Sequence, residues 1–444
     1  MAATQRNALD PNPRARLYNV PLRPILVLVL GVWVAPATSG YSVLTHEAII
    51  DTAWKDDIRP LLLKRFPAAT PEELRKAHAY AYGGAIIQDM GYYPFGNRFF
   101  SDLAHYVRSG DLLMAMIAEA GDLNEYAFAL GSLAHYAADN AGHPMATNRA
   151  VAVMYPKLAR KFGSLVTYGD DPPSHLKVEF SFDVEQVAEG HYAPDAYHDF
   201  IGFEVAKPLL ERAFTRTYSF EMSRLFFSED LALGTYRHTV SSLIPALTKA
   251  AWHSKKKELQ NHDPSITSKR FIYNISRASY RKRWGNLYEK PGLGARIIAF
   301  LFRLVPKVGP FRALAFRAPP PAVEKMFMRS FDETLSHYRR LLAELSAGTL
   351  QLANDNFDTG QPLEPGTYAL ADNAYAKLVE KIHGRGISEE LRADILAFYA
   401  SLDAPFATKR DPKAWENLLH HLDSLKAAPA MEQAPSPSAS SPSK

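Results

Sequence analysis

Three observations predict a mainly α-helical protein. Apolar residues recur at helical spacing along most of the chain, capping signals stand at the heads of those patterns, and alternating strand-like runs are scarce. With 444 residues, 47% of them hydrophobic, the chain can bury a large core. A net charge of +4 sets no nucleic-acid footprint by itself. The absence of cysteine excludes a disulfide framework and any thiolate zinc finger.

Five stretches divide the sequence. In residues 1–40, Arg14, Arg16 and Arg23 precede an apolar run from Ile25 to Ala35 and then small residues up to Gly40, the layout of a secretory signal peptide. The run is shorter than the roughly 20 residues that a membrane span needs, so the expected product is secreted or periplasmic and starts at Tyr41. Residues 41–247 are expected to hold the chemistry. A basic, partly apolar segment follows at 248–321, then a helical C-terminal region at 322–426 and a Pro/Ser/Ala-rich, disordered tail at 427–444.

The elements are taken in order. A helical pattern runs from Glu47 through Leu63. Thr70, Pro71 and Glu73 form a capping box with proline at the first helical position, which predicts a helix through Leu74, Ala77 and Ala81 toward Ile87. Gly91 and Pro94 stop it, leaving Asp89 at the stop, and Phe99 and Phe100 lead to His105. Asp122 and Glu125 make a second box ahead of Tyr126, Leu130 and Leu133. That helix delivers His135 and Asp139 one turn apart, with Gly142 as its stop. Another helical pattern covers Val151 to Phe162. Pro172-Pro173-Ser174 opens a short helix whose first turn holds His175 and Glu179. Helical pattern continues from about Pro194 to Leu247, and resumes at Glu324–Leu345 and, after a Gly/Pro-rich loop, at Ala374–Ile382.

The run from His135 to His143 carries the chemistry. His135 and Asp139 share a helical face, and His143 follows the glycine. His46, Asp89, His105, His175 and Glu179 lie in the same contiguous part of the chain. Imidazole and carboxylate ligands without thiolate suit zinc, and ions roughly 3.5–4 Å apart across a shared carboxylate activate water against a phosphoryl group. Asp139 is the candidate bridge.

Taken as an ordered set, Tyr41-Ser-Val-Leu-Thr-His46, the Asp89 loop, His105, His135-x-x-x-Asp139 with His143, and His175-x-x-x-Glu179 resemble the zinc-dependent phospholipase C family. Its fold is shared by the single-strand-specific zinc nucleases of fungi and plants. The resemblance covers about Tyr41 to Leu210. It implies a mainly helical domain with three zinc ions that cleaves phosphodiester bonds, followed here by a helical C-terminal extension. Asp89, His105, His135 and Asp139 would hold one ion. A second, sharing Asp139, would use His46 with the free amine and carbonyl of Tyr41, where the family usually has tryptophan. His143, His175 and Glu179 would take the third. Signal-peptide removal would then be needed for activity, and Asp89 would orient or deprotonate the attacking water.

Any one of these histidines alone is more often a satisfied polar residue than a ligand, so the ordered set carries the reading. Asp102 near His105 and Glu185 near Glu179 are the alternatives to members of it. His78, His191 and His198 fall outside the pattern, although Tyr197-His198-Asp199 could line a cleft. In the basic segment, residues 291–321 hold five basic residues and no acid. There Arg296, Arg303, Lys307, Arg312 and Arg317 alternate with Ile297, Ile298, Phe300, Leu301, Phe302 and Leu304. The segment is read either as a solvated linker or as contact with an anionic phospholipid surface. Nucleic acid, the substrate of the related nucleases, would be drawn by the same charges, and a non-catalytic binding protein that keeps the ligands only for metal-stabilised folding is the other alternative.

Overall fold

The computed structural model describes residues 42–189, 203–240, 256–257, 260 and 319–427. The proposed signal peptide, Tyr41, His191, His198, the basic residues from Arg296 to Arg317 and the Pro/Ser-rich tail lie outside them, as does the side chain of Glu185. All described residues belong to one compact unit, Ala35–Lys444.

Helix α1 (Val43–Ala53) has Ser42 at its N-cap but no side-chain cap of its own. A π turn at Trp54–Ile58 leads from it into α2 (Arg59–Arg65). Helix α3 (Pro71–Ile86) starts on the expected capping box, with Thr70 and Glu73 bonded to each other's backbone N–H. It ends one residue short of Ile87, and a 3-10 turn at Ile87–Tyr92 carries Asp89. Asn97 caps α4 (Arg98–Tyr106) by accepting from the Phe99 N–H at 2.9 Å. Helix α5 (Ser109–Glu119) follows. Asp122 caps α6 (Leu123–Gly142), accepting from Asn124 and Glu125, while the Glu125 carboxylate reaches back to Gly121 N–H, so the second box closes one residue early.

Gly142 does not stop the chain's helical course. It stays in right-handed helical conformation, and a π turn at His143–Thr147 continues into α7 (Asn148–Met154). Glycine ends helices by adopting the left-handed conformation, which nothing here requires. Pro144, lacking an N–H, instead favours widening of the turn. Tyr155 breaks the predicted Val151–Phe162 helix, and α8 (Pro156–Phe162) restarts at a proline. Helix α9 (Pro172–Glu189) is not short: it runs 18 residues. Beyond it, α10 (Lys207–Tyr218) and α11 (Glu229–His238) interrupt extended chain at 203–206 and a 3-10 turn at Met222–Leu225.

In the C-terminal part come α12 (Pro321–Ala347), α13 (Ala369–Ile382), α14 (Glu389–Phe398) and α15 (Pro412–Ala427). Between α12 and α13 sits a small antiparallel hairpin of β1 (Asp355–Asn356) and β2 (Gln361–Pro362), the one sheet among the described residues. The protein is mainly α-helical, as its sequence predicts. No helix of the described residues is long and apolar enough to cross a membrane.

Helix α6 is the axis of the fold. Helices α3, α5 and α12 pack against it, and nearly all of its residues beyond the first turn are buried. Its crossing with α3 is backbone to backbone: a Cβ on Gly131 would fall 2.0 Å from Ala81 O, and one on Gly84 1.9 Å from Phe128 O. Only glycine permits that approach, and Ser132 Oγ fastens it by donating to Gly84 O. On the other side, Tyr338 of α12 donates to Leu130 O at 2.8 Å.

Candidate metal centre

The α3–α6 crossing determines how His135 points. It brings Ala85 O to 2.9 Å from His135 Nδ1, and on α4 Ser101 O lies 2.8 Å from His105 Nδ1. A carbonyl can only accept, so Nδ1 carries the proton in both rings and the Nε2 lone pairs face inward. The two Nε2 atoms are 3.4 Å apart.

Asp139 occupies the centre of this space. Its Oδ2 lies 3.2 Å from His135 Nε2, 3.5 Å from His105 Nε2 and 3.9 Å from His143 Nε2, and its Oδ1 lies 3.5 Å from His46 Nε2. Asp89 Oδ1 lies 3.4 Å from His105 Nε2. Both carboxylates are buried, and neither oxygen of either has a well-formed hydrogen-bond partner. Burying acceptors against ring lone pairs is costly, and a cation among them relieves it. The donor set therefore fits a metal: imidazole nitrogens and carboxylate oxygens, pre-oriented by outer hydrogen bonds.

A second group lies along the same helical track. On α9, His175 Nε2 is 2.9 Å from Glu179 Oε1, and the His143 and His175 rings are 5.0 Å apart. His143 Nδ1 is 2.9 Å from Asp358 Oδ1. Three sets of side chains bring ligand atoms within 4.8 Å of one another: His46, Asp89 and His135; His105, His135 and Asp139; His143, His175 and Glu179. The last is the third set implied by the family resemblance. The other two divide differently from that implication, since His46 also sits with Asp89 and His135. Together they form one continuous cluster around Asp139. All eight residues from His46 to Glu179 in this centre are at most 2% exposed.

The electrostatics follow from burial and from the neighbours. Burial pushes His46 down to about 3, with His135 adding to the effect, and burial lowers His175 to about 4. Both rings are therefore neutral at ordinary pH. At His105 burial works in the same direction but is outweighed by the neighbouring Asp139 and Asp89 carboxylates, which, with no cation among them, hold the ring well above the usual range. Burial works to raise Asp139 as well, and the surrounding histidines, His135 first, overcome it and hold the carboxyl well below its ordinary value. Burial raises Asp89.

The alternatives stand apart. Asp102, raised to about 6 by burial, faces Arg98 and joins none of the three sets. His78 Nε2 lies 2.9 Å from Asp51 Oδ1 and its ring stacks on Trp54 at 3.9 Å, a structural role.

Three residues of the surroundings were not signalled by the sequence. Asp183, one turn beyond Glu179 on α9, supplies the cap that α1 lacks: its carboxylate accepts from Leu44 and Thr45 N–H at 3.0 Å and from Thr45 Oγ1 at 2.7 Å. The helical spacing of His175, Glu179 and Asp183 was the available cue. Phe357 and Asp358 come from the hairpin, and only an Asn/Asp-rich turn ending at Gly360 marked it in the sequence. Phe357 is fully buried with its ring 5.4 Å from His105 and 6.0 Å from His135. A small cavity beside the centre is lined by Tyr92, Tyr106, Tyr168 and Asp358 together with His105, His143, His175 and Glu179.

Residues 45–228 match the family described as zinc dependent phospholipase C. Neither a curated protein nor a solved structure matches the chain.

Proposed function

We propose, from the premise that residues 45–228 belong to the zinc-dependent phospholipase C family, that this chain is a phosphodiesterase that hydrolyses phospholipids. The observation that carries the reading is the convergence, within the family-matched segment, of buried imidazoles and carboxylates whose ligand atoms lie within 4.8 Å of one another in three overlapping sets. In this reading Asp89, His46, His105, His135 and Asp139 hold two zinc ions, with Tyr41 contributing its backbone, and His143, His175 and Glu179 hold a third. Zinc bound there supplies Lewis acidity, activating water and neutralising charge on the phosphoryl oxygens.

The protein's own residues do the rest. Ala85 O and Ser101 O fix the His135 and His105 rings, so no reorientation is needed when the metal enters. Asp89 orients the attacking water and takes its proton. The P–O bond to the glycerol oxygen breaks, and a proton passes to that oxygen, leaving diacylglycerol and a phosphorylated head group. Cleavage of the signal peptide near Gly40, on export of the chain to the periplasm or the medium, frees the Tyr41 amine as a ligand.

The test is hydrolysis of phosphatidylcholine vesicles against single-stranded DNA by the processed protein, with zinc and with chelator. Zinc-dependent release of diacylglycerol is expected. Zinc-dependent cleavage of DNA alone would replace the phospholipase with a nuclease of the related type.

A further inference from the structure

The family-matched segment ends at residue 228, yet one of its histidines takes its orientation from the C-terminal hairpin. His105 and His135 direct Nδ1 to backbone carbonyls of their own segment. His143 does not. Its Nδ1 lies 2.9 Å from Asp358 Oδ1, within hydrogen-bonding distance though with the ring N–H not aligned on that oxygen, and both side chains are buried.

Asp358 is itself held tightly. Tyr106 Oη donates to its Oδ2 at 2.9 Å, and Tyr368 Oη donates to the same oxygen. Its backbone N–H donates to Asn356 Oδ1 at 2.9 Å, and its carbonyl accepts from Asn148 Nδ2 at 2.7 Å. Around it, Phe357 N–H donates to His105 O and Ser109 Oγ donates to Asp355 O. Gly360, at φ +63°, lies against Asn140 O so closely that a Cβ would fall 2.3 Å from it. Asn140 is the residue whose helical partner would be the absent N–H of Pro144. The hairpin is thus docked onto α4, α5, α6 and the π turn, and Asp358 has little freedom to move away from His143.

A carboxylate that accepts from Nδ1 fixes the proton there, points the Nε2 lone pair away from it and raises the basicity of that nitrogen. Nε2 of His143 is the atom that faces Asp139. We propose that Asp358 is the positioning carboxylate of His143, so that the C-terminal region completes the third metal group of the family-matched segment. The inference rests on the metal-binding reading above. It adds a residue outside the matched segment, and it makes that segment alone an incomplete site.

The experiment measures zinc stoichiometry and affinity on the full processed chain, by elemental analysis and chelator competition. Asp358→Ala and Asp358→Asn are compared with wild type and with Asp394→Asn. Asp394 accepts from Tyr375 in the same C-terminal region and belongs to none of the three ligand sets. Asp358→Ala should weaken one zinc of the wild-type complement about 10–100-fold while leaving the others in place. Asp358→Asn, which keeps an oxygen for Nδ1–H but not the charge, should fall between. Asp394→Asn should bind zinc as wild type does. A downfield Nδ1–H proton resonance is expected for His143 in wild type, and it should disappear in Asp358→Ala and persist in Asp358→Asn. Wild-type zinc affinity in Asp358→Ala, or an equal loss in Asp394→Asn, would overturn the inference and leave the metal centre standing. A wild-type protein that binds no zinc would overturn the metal reading and this inference with it.

Discussion

The cluster around Asp139 and the group around His143 use the same residue types and are held by different means. In the first, His105 and His135 are anchored on backbone carbonyls of helices inside residues 45–228, and the glycine-to-carbonyl crossing of α3 and α6 sets the distance. The second relies on a side chain from a hairpin that follows α12. One is fixed by helix register, the other by tertiary docking. The difference implies that the Asp139 cluster should persist under changes that empty the His143 group, and not the reverse, because Asp139 stands at the meeting point of both.

Asp139→Asn is the largest break in that comparison. The substitution keeps the shape but removes the charge that His46, His105, His135 and His143 all face at 3.2–3.9 Å. Zinc content should fall for the whole centre, and phosphodiesterase activity should drop more than about 100-fold, beyond the range of an outer-sphere change. Elemental analysis and a vesicle assay check this together. Full zinc content with full activity would show that Asp139 bridges nothing.

Phe357→Ala probes the docked side. Phe357 is fully buried, with its ring against His105, His135 and Tyr136. Removing it should cost about 3–5 kcal/mol, read as a fall in the denaturation midpoint. A loss under about 1 kcal/mol would mean that the hairpin covers the centre loosely, and the contrast between the two regions would weaken.

How much of this was legible depends on distance along the chain. The helices on either side of His135 were readable because capping and periodicity are local: Thr70 with Glu73, and Asp122 at the head of α6. The ligand set was readable for a related reason, as His135 with Asp139 and His175 with Glu179 are each one helical turn apart. Gly142 misled, because a glycine permits a left-handed stop without demanding one, and Pro144 turned the chain into a π turn instead. Asp358 was beyond reach. Nothing in an Asn/Asp-rich turn specifies which distant imidazole it will meet, since that is decided by how α12 and α13 pack on α6 and α4.

Asp183→Ala offers the finest test, because it acts within the family-matched segment through a tertiary contact. Asp183 caps α1 from α9, and α1 carries His46. Its loss leaves the Leu44 and Thr45 N–H groups buried without their acceptor, a cost of about 1–3 kcal/mol. The sign of the pH dependence is fixed by burial, which raises this carboxyl from 3.8 to about 6 in the folded chain. Between those values the folded state binds more protons than the unfolded state, so wild type gains stability from this group as pH falls, and the alanine variant cannot. The deficit of Asp183→Ala should therefore grow by about 1 kcal/mol between pH 7 and pH 5. Urea denaturation of both proteins with chelator present, so that metal loss does not intrude, measures it. Equal deficits at the two pH values would show that the buried carboxylate is not the group that titrates, and a deficit near zero at both would mean that α1 holds His46 in place without this cap.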